Sequence, residues 1–276
     1  MSILLNSLTE LPEGSVVLVY DIEAIGDVSR PEHCFMWNIS AMVLGDKTKV
    51  LDQFIVPPVR SIPEPPNPKL FKVTHEFLRN ANAQPPQEVL NYLFRWITNL
   101  YTPDSGGIIL MVSHGNFRFD QPLMQTEILR YKISVPPNLY FLDTLHWFRT
   151  IKKKLRSYSL SNLYKEQFTR PIKNAHLSLF DVHALHDLIE SQEESLSGIA
   201  YNIWYTSLLR IPQVGLFTER LLWDNNMLSV EHIVFKFRND CKNNPQILRD
   251  YLKKGCNIDP SIVDTVTNFI SNLFVY

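Results

Sequence analysis

The run Ser15–Tyr20, Ser-Val-Val-Leu-Val-Tyr, constrains the fold more than any other segment of the chain. Valine and tyrosine dominate it, and Pro12 and Gly14 precede it, which is typical of a short buried strand. In a chain of 276 residues, 45% of them apolar, such a strand can be buried in a large core. The sequence therefore predicts a globular chain built around a sheet and argues against a disordered or fibrous one.

Strand and helix patterns alternate after this run. Residues 35–44 and 49–56 are predicted as two further strands around the turn Gly45-Asp46, and 108–113 and 140–143 as two more. Helical spacing is found in residues 86–100, 120–131, 144–154, 160–167 and 177–191. This order predicts an α/β fold with a mixed central sheet flanked by helices. The strand signals stop at about residue 193, so we expect a domain over 1–192 and a helical C-terminal extension of unknown role over 193–276.

A proline-rich segment interrupts this alternation. Residues 57–68 hold six prolines in twelve positions, which excludes a helix or a central strand there. Two Pro-x-x-Pro spacings fit a polyproline segment that docks onto a protein partner, and a stiff loop is the alternative that composition favours. The C-terminal helices could likewise bind a protein partner or form a homodimer, and the sequence does not distinguish between the two.

Cysteine usage and hydropathy indicate the compartment. The three cysteines, Cys34, Cys241 and Cys256, are too few and too scattered for a disulfide framework or a cysteine-based zinc site. The N-terminal residues lack a basic signal region, and the apolar runs are shorter than the ~20 residues that a membrane helix needs. We therefore expect an intracellular protein, cytoplasmic or nuclear, that is neither secreted nor membrane-spanning.

Asp21 and Glu23 follow the first predicted strand directly. Residues i and i+2 of a strand point to the same face, so these carboxylates are side by side and repel each other. A cation between them would relieve the repulsion. The alternative is a solvated strand end that leads into Gly26.

Two later segments carry further candidate groups. Asp120 closes the run Ser-His-Gly-Asn-Phe-Arg-Phe-Asp after the fourth strand, where a helix-capping role is the alternative. His176 and Asp181 have the spacing His-x4-Asp at the start of the last predicted helix of the α/β layer. His183 and His186 do not fit that spacing and are interpreted as structural or surface residues.

Taken together and in this order, the three segments resemble the DEDDh exonucleases of the DnaQ-like superfamily, over residues 15–190. Within that group the chain is most similar to the three-prime repair exonucleases. The similarity lies in Phe-Asp-Gln-Pro-Leu-Met-Gln-Thr-Glu at 119–127, Ser-Tyr-Ser-Leu-Ser-Asn-Leu-Tyr at 157–164, and Asp-Thr-Leu at 143–145. The resemblance implies an RNase H-like fold.

The resemblance also implies a metal-dependent 3′→5′ exodeoxyribonuclease that releases 5′-mononucleotides from single-stranded or frayed DNA ends. Two Mg²⁺ ions, replaceable by Mn²⁺, would be held by four acidic residues, Asp21, Glu23, Asp120 and Asp181. Carboxylate oxygens suit such hard cations, and two ions clamp the attacking and leaving oxygens. His176 would be the general base. An exoribonuclease of the same class and a non-catalytic nucleic-acid-binding or scaffold protein on this fold are the alternatives.

Substrate contacts follow from the resemblance by position. The implied residues are Ala24, Ile25, Arg118, Phe119, Ser157 and Tyr158, with core packing as the alternative for the two aromatic ones. Three departures from the family pattern bear on activity. Ile25 stands where the family often has threonine, and Asp27 stands where relatives have an apolar wedge. The sequence His114-Gly-Asn116 splits the usual His-Asn pair.

The net charge of −1 conceals a local charge pattern. Residues 130–173 hold ten basic residues and two acidic ones, a net +8, whereas four acidic residues of the chain are the proposed metal ligands. We expect this basic segment to guide a phosphate backbone toward the metals and to make the activity salt-sensitive.

Overall fold

The computed structural model describes residues 11–26, 34–57, 73–101, 106–174, 177–198, 200–204 and 206–273. The chain divides into two compact units, residues 1–203 and 204–276. None of the helices in the described ranges has the length and apolar character that crossing a bilayer requires.

The first unit is built on a six-stranded mixed sheet of order β3-β2-β1-β4-β5-β6. Its strands are β1 (Val16–Gly26), β2 (Cys34–Val43), β3 (Asp46–Phe54), β4 (Ile109–Ser113), β5 (Leu139–Asp143) and β6 (Tyr201–Asn202). β4 pairs in parallel with β1 and with β5, and the other three pairings are antiparallel. The predicted α/β class with a mixed central sheet is thus confirmed.

Helices flank this sheet. They are α1 (His75–Asn80), α2 (Pro86–Thr98), α3 (Asp120–Tyr131), α4 (Thr144–Ile151), α5 (Leu160–Phe168) and α6 (Ser178–Glu190). One apolar cluster of this core packs Trp147, Phe148, Leu163 and Leu185 from the helices against Val112 and its neighbours in the sheet. α1 was not predicted; Thr74 caps it by accepting a hydrogen bond from the Phe77 N–H.

Two details of the sheet correct the sequence-based prediction. β1 does not end at Tyr20, because its antiparallel pairing with β2 continues to Gly26↔Cys34, with a bulge after Glu23. Strands also do not stop at residue 193, because Tyr201 and Asn202 pair with β5. The boundary between the compact units accordingly follows this last strand, whereas the sequence placed a boundary at 192/193.

The second unit is helical around its own apolar core. Its helices are α7 (Leu216–Asp224), α8 (Val230–Asn239), α9 (Pro245–Asp250), which a π-helical turn continues to Gly255, and α10 (Pro260–Asn272). Leu222, Ile233, Phe237, Leu252 and Val266 belong to this core. Cys241 and Cys256 are buried free thiols in this core, where they pack as small apolar side chains.

Candidate active site

Asp21 and Glu23 lie on one face of β1. Ile22 between them is buried on the opposite face, whereas both carboxylates keep part of their surface open. β1 pairs with β4 only as far as Val19, so from there its β4-side edge is free for other partners. The two acidic residues therefore lie in the part of β1 where its pairing with β4 has ended.

Asp181 reaches the same place from the first turn of α6. This helix packs on β1 and β2. One carboxylate oxygen from each of Asp21, Glu23 and Asp181 lies within 4.8 Å of the others. We call these three residues the carboxylate cluster. Residues separated by some 160 positions in the sequence are thus brought together as predicted, although their role as metal ligands stays a prediction.

Asp120, the first residue of α3, is buried beside this cluster. Its Oδ1 accepts a hydrogen bond from the Ile22 N–H at 3.1 Å, and its Oδ2 accepts one from the Ser113 hydroxyl at 2.5 Å. The Ile22 N–H lies in the part of β1 beyond the β4 pairing, so Asp120 satisfies a strand donor that would otherwise be unpaired. These two bonds fix the carboxylate against β1, between the positions of Asp21 and Glu23.

Burial and mutual repulsion make these carboxylates hard to ionise together. Burial, followed by the charge of Asp120 and then of Glu23 and Asp181, raises the pKa of Asp21 well above its ordinary value. Burial and the charges of Asp181 and Asp120 raise the pKa of Glu23 to about 8. Burial likewise raises the pKa of Asp120 to about 7, against the hydrogen bond from Ser113.

This donor set fits a divalent metal. Four carboxyl groups supply only oxygen ligands, which Mg²⁺ and Mn²⁺ prefer, and a cation would remove the repulsion that raises these pKa values. Asp21, Glu23 and Asp181 would hold the ion directly, with Asp120 beside them.

A cavity of about 370 Å³ opens onto the carboxylate cluster. Its other walls include Phe119 and His114 from the loop before α3, and Ser159, Leu160 and Ser161 from the start of α5. The walls thus combine an aromatic ring, hydroxyl groups and carboxylates.

The predicted substrate-contact residues are arranged around this cavity in different ways. Phe119 lines it, and Arg118 is exposed in the short 3₁₀ helix just before it. Ala24 and Ile25 lie beyond the bulge at Trp37 of β2, and the Ile25 side chain packs against the apolar cluster of Trp37, Val73 and Leu78. The Ile25 side chain is therefore engaged in packing, and contact of Ala24 and Ile25 with a substrate through their backbone groups stays a prediction.

Ser157 and Tyr158 lie just before the cavity-lining segment. The Tyr158 hydroxyl donates to the Lys152 carbonyl at 2.5 Å, and the Tyr158 ring packs against the apolar cluster that contains Trp147 and Phe148. The exposed Ser157 hydroxyl donates to the Ser159 hydroxyl at 3.2 Å. Both side chains thus support the entry into α5, which makes the packing alternative for Tyr158 the simpler explanation of its contacts.

Three predicted features fall outside the described residues. These are His176, Asp27 and all of the proline-rich segment 57–68 except Pro57. His186, interpreted as structural, is buried and accepts a hydrogen bond at Nε2 from the Gly45 N–H in the β2–β3 turn at 3.2 Å.

His114 is a site residue whose role the sequence did not reveal. Its Nε2 bonds to the Tyr158 carbonyl at 2.7 Å and its Nδ1 to the Thr144 hydroxyl at 3.0 Å. Burial is the main cause of its lowered pKa, so it is neutral at pH 7 and its Nε2 is the donor. His114 therefore ties the end of β4 to the segment that leads into the cavity wall.

Asp143 orders the loop that carries His114. Besides capping α4, its carboxylate accepts hydrogen bonds from the Gly115 N–H at 2.8 Å and the Phe117 N–H at 3.3 Å. Asn116 in the same loop accepts from the Tyr20 hydroxyl and donates to the Leu142 carbonyl. The glycine between His114 and Asn116 has φ 79°, so it supplies the left-handed turn that lets both side chains point inward.

The basic segment 130–173 is mostly open to solvent. Eight of its ten basic residues are exposed, namely Lys132, Arg149, Lys153, Lys154, Arg156, Lys165, Arg170 and Lys173. Arg130 and Lys152 are partly buried and bond to Glu127 and Gln167. Lys153, Lys154 and Arg156 lie just before Ser157 and the cavity-lining segment that begins at Ser159.

Comparisons with known proteins agree with this arrangement. No family model matches the chain. A segment of 88 residues is 34% identical to three prime repair exonuclease 2 of Mus musculus, covering 29% of this chain and 37% of that protein. A crystal structure of E. coli exonuclease I with single-stranded DNA and bound zinc superposes with a TM-score of 0.52 at 17% identity, over 66% of this chain and 41% of that one. Another exonuclease I structure gives a TM-score of 0.45 at 16% identity, over 65% of this chain and 41% of that one.

The matched regions thus span less than half the length of these proteins. The predicted resemblance to the three-prime repair exonucleases is confirmed by the curated match, and the predicted DnaQ-like fold by the superposition at TM-score 0.52.

Proposed function

We propose that this chain is a divalent-metal-dependent 3′→5′ exonuclease that acts on DNA. The observation that carries the proposal is the carboxylate cluster, whose ligand oxygens lie within 4.8 Å of one another in a cavity next to Asp120. The similarity to three prime repair exonuclease 2 supports the direction of digestion, and the exonuclease I structure with single-stranded DNA supports DNA as the substrate. Single-stranded or frayed 3′ ends would be preferred, and the products would be 5′-mononucleotides.

The carboxylates would hold two Mg²⁺ ions, for which Mn²⁺ would substitute. Bound in this way, two divalent ions lower the pKa of a water and neutralise charge on the leaving 3′-oxygen. The chain's contribution is to hold its ligands rigidly: Asp120 is fixed by Ser113 and Ile22, and Asp181 by its place in the first turn of α6. Fixed ligands cost no reorganisation when the phosphate arrives.

His176 would take the proton from the attacking water. It precedes Asp181 by five positions, and the ordinary histidine pKa of about 6.5 suits a base at neutral pH. Phe119 would stack on the terminal nucleotide, because an aromatic wall holds any base without sequence preference. The exposed basic residues before Ser157 would attract the backbone of the strand.

The test is digestion of 3′-labelled single-stranded DNA, duplex DNA and RNA, each with Mg²⁺ and with EDTA. We expect DNA digestion that requires the metal. His176→Ala should lower the rate on the order of 10²–10⁴-fold, the range that loss of one acid-base group produces. Asp181→Asn should also lower the rate strongly, because it removes a proposed metal ligand. The matched control is Asp187→Asn on the same helix, because the Asp187 carboxylate pairs with Lys47 at 2.6 Å on the surface.

Wild-type rates in both Asp181→Asn and His176→Ala would refute the catalytic assignment. Faster digestion of RNA than of DNA would refute the DNA preference and leave the exoribonuclease alternative. A folded wild-type protein that digests no substrate would favour the non-catalytic binding alternative.

A further inference from the structure

The start of α6 is held by a side chain from the neighbouring sheet. Leu177 precedes the helix and has no side-chain oxygen with which to cap it. Instead, Asn38 Oδ1 on β2 accepts from the backbone N–H of Ser178 at 3.3 Å and from the Ser178 hydroxyl at 2.6 Å. A helix N-terminus leaves backbone donors unpaired, so Asn38 supplies a cap from another element.

Ser40 adds a second contact to the same helix residue. Its hydroxyl lies 2.6 Å from the Ser178 hydroxyl and 2.7 Å from Asp52 Oδ1 on β3. Asp52 Oδ1 also accepts from Asn38 Nδ2 at 2.9 Å, which fixes the orientation of the Asn38 amide with its oxygen toward Ser178. We call Asn38, Ser40 and Ser178 the helix-anchoring triad.

The triad lies next to the carboxylate cluster in the sheet register. Asp21 pairs with Ser40, and Glu23 pairs with Asn38, across the β1–β2 ladder. Paired residues of adjacent strands present their side chains on the same face, about 5 Å apart at Cβ. The two residues that hold α6 are thus the direct neighbours of the two β1 carboxylates.

The triad is also connected to the carboxylate cluster through α6, which carries Asp181. Ser178 is the first residue of α6 and precedes Asp181 by three positions, so the two lie within one helical turn. Any shift of Ser178 along the sheet therefore moves Asp181 by a similar amount relative to Asp21 and Glu23.

Hydrogen bonds define this placement more sharply than apolar packing does. Apolar contacts between α6 and the sheet are non-directional and tolerate sliding. The triad is almost completely buried, with exposures of 1% for Asn38 and 0% for Ser40 and Ser178. Any other position of the helix would leave these polar groups without partners in the interior, which is costly.

We propose that Asn38, Ser40 and Ser178 are positioning residues that set the distance between Asp181 and the two β1 carboxylates. The inference rests on the proposed function in that it assigns the triad to the metal site. Asn38, Ser40 and Ser178 belong neither to the carboxylate cluster nor to the residues that line the cavity, so the triad acts through the placement of α6.

The experiment measures Mn²⁺ binding to the full chain by titration calorimetry, together with thermal unfolding. Ser178→Ala removes one hydroxyl without adding volume. We expect it to weaken Mn²⁺ binding on the order of 10-fold, as changes behind metal ligands do. Ser40→Ala carries the same expectation from the sheet side and serves if Ser178→Ala does not fold.

The matched control is Ser229→Ala in the second unit. Ser229 is also fully buried, and its hydroxyl caps α8 by accepting from the His232 N–H. We expect this variant to lose thermal stability to a similar extent and to keep the wild-type affinity for Mn²⁺. The contrast separates positioning from a general loss of stability.

Wild-type Mn²⁺ affinity in both Ser178→Ala and Ser40→Ala, or equal weakening in Ser229→Ala, would overturn the inference. A wild-type protein that binds Mn²⁺ but digests no nucleic acid would refute the proposed function alone, since the affinities would still test the triad. A wild-type protein that binds no Mn²⁺ would overturn both.

Discussion

Replacing Glu23 by glutamine is expected to stabilise the metal-free protein while removing its activity. Glu23 lies in the carboxylate cluster, where burial and the charges of Asp181 and Asp120 oppose its ionisation. Glutamine keeps the shape of the side chain and removes its charge. Without metal, the free energy of unfolding should rise, because the variant lacks a charge that repels the neighbouring carboxylates. The metal site, however, loses a ligand.

The raised pKa of Glu23 determines how the free energy of unfolding changes with pH. In the folded protein the pKa of Glu23 is about 8, and its ordinary value is 4.5. Below 4.5 the group is protonated in both the folded and the unfolded state, so it does not affect stability. Between 4.5 and 8 the unfolded chain releases the proton and the folded protein retains it, so the free energy of unfolding falls as pH rises.

The interval between the two pKa values of Glu23 sets an upper limit on the stability that the wild type loses. At ~1.4 kcal/mol per pH unit, the full rise would cost the wild-type fold about 5 kcal/mol above pH 8. Glu23 keeps part of its surface in water, which screens the repulsion, so we expect a gain of about 2 kcal/mol for Glu23→Gln. For a chain of this size that raises the melting temperature by about 4–8 °C.

The assay is thermal unfolding in EDTA at about pH 8.5 and about pH 5, repeated with excess Mg²⁺. In EDTA the advantage of Glu23→Gln should be largest at the higher pH. Added Mg²⁺ should stabilise the wild type more than the variant. Glu88→Gln is the control, because Glu88 is exposed in the first turn of α2 and its replacement changes the net charge equally.

Equal melting temperatures for wild type and Glu23→Gln in EDTA at the higher pH would refute the reasoning. So would an advantage that grows toward acid pH, because the sign of the linkage would then be opposite. A similar gain for Glu88→Gln would assign the effect to net charge instead of the cluster.

Two further predictions concern the substrate path and the buried ligand. Changing Lys153, Lys154 and Arg156 together to glutamine should raise KM for single-stranded DNA and reduce the slope of log affinity against log salt by about 2, at ~0.7 per phosphate contact; a slope equal to that of wild type would contradict a role in binding. The matched control replaces three exposed lysines of the second unit, Lys242, Lys253 and Lys254, the first of which has positive φ as Lys154 does. Ser113→Ala removes a hydrogen bond that lowers the pKa of Asp120, so the pH midpoint of Mn²⁺ binding should move up; an unmoved midpoint would show that this bond does not control the ligand.

Elements with a strong local pattern were predicted closely. The predicted helix 120–131 has the observed bounds of α3, and the predicted strand 108–113 matches β4 within one residue. Each has its own periodicity or apolar run, so neighbouring residues are sufficient to specify it. The elements that the sequence missed, α1 and β6, are short and carry little periodic signal; β6 forms only because β5 offers it a pairing edge.

The same distinction applies to the site. The resemblance to the DEDDh exonucleases singled out the four acidic residues, and the structure places one carboxylate oxygen from each of three of them within 4.8 Å of the others. The roles of His114, Asn38 and Ser40 had no comparable signal, because each depends on a partner at least 30 positions away in the sequence. A polar residue inside an apolar strand does not reveal which distant group it bonds.

The sequence by itself determined the alternation of strands and helices and the positions of the carboxylates along the chain. Both depend on interactions between near neighbours, which side-chain spacing records directly. Only the tertiary structure decided that β1 extends to Gly26 and that Asp21 and Glu23 pair with the residues that hold α6. The distance of Asp181 from β1 depends on hydrogen bonds across 138 and 140 positions of the chain, and such pairings are selected when the buried polar groups of a folded core must all find partners.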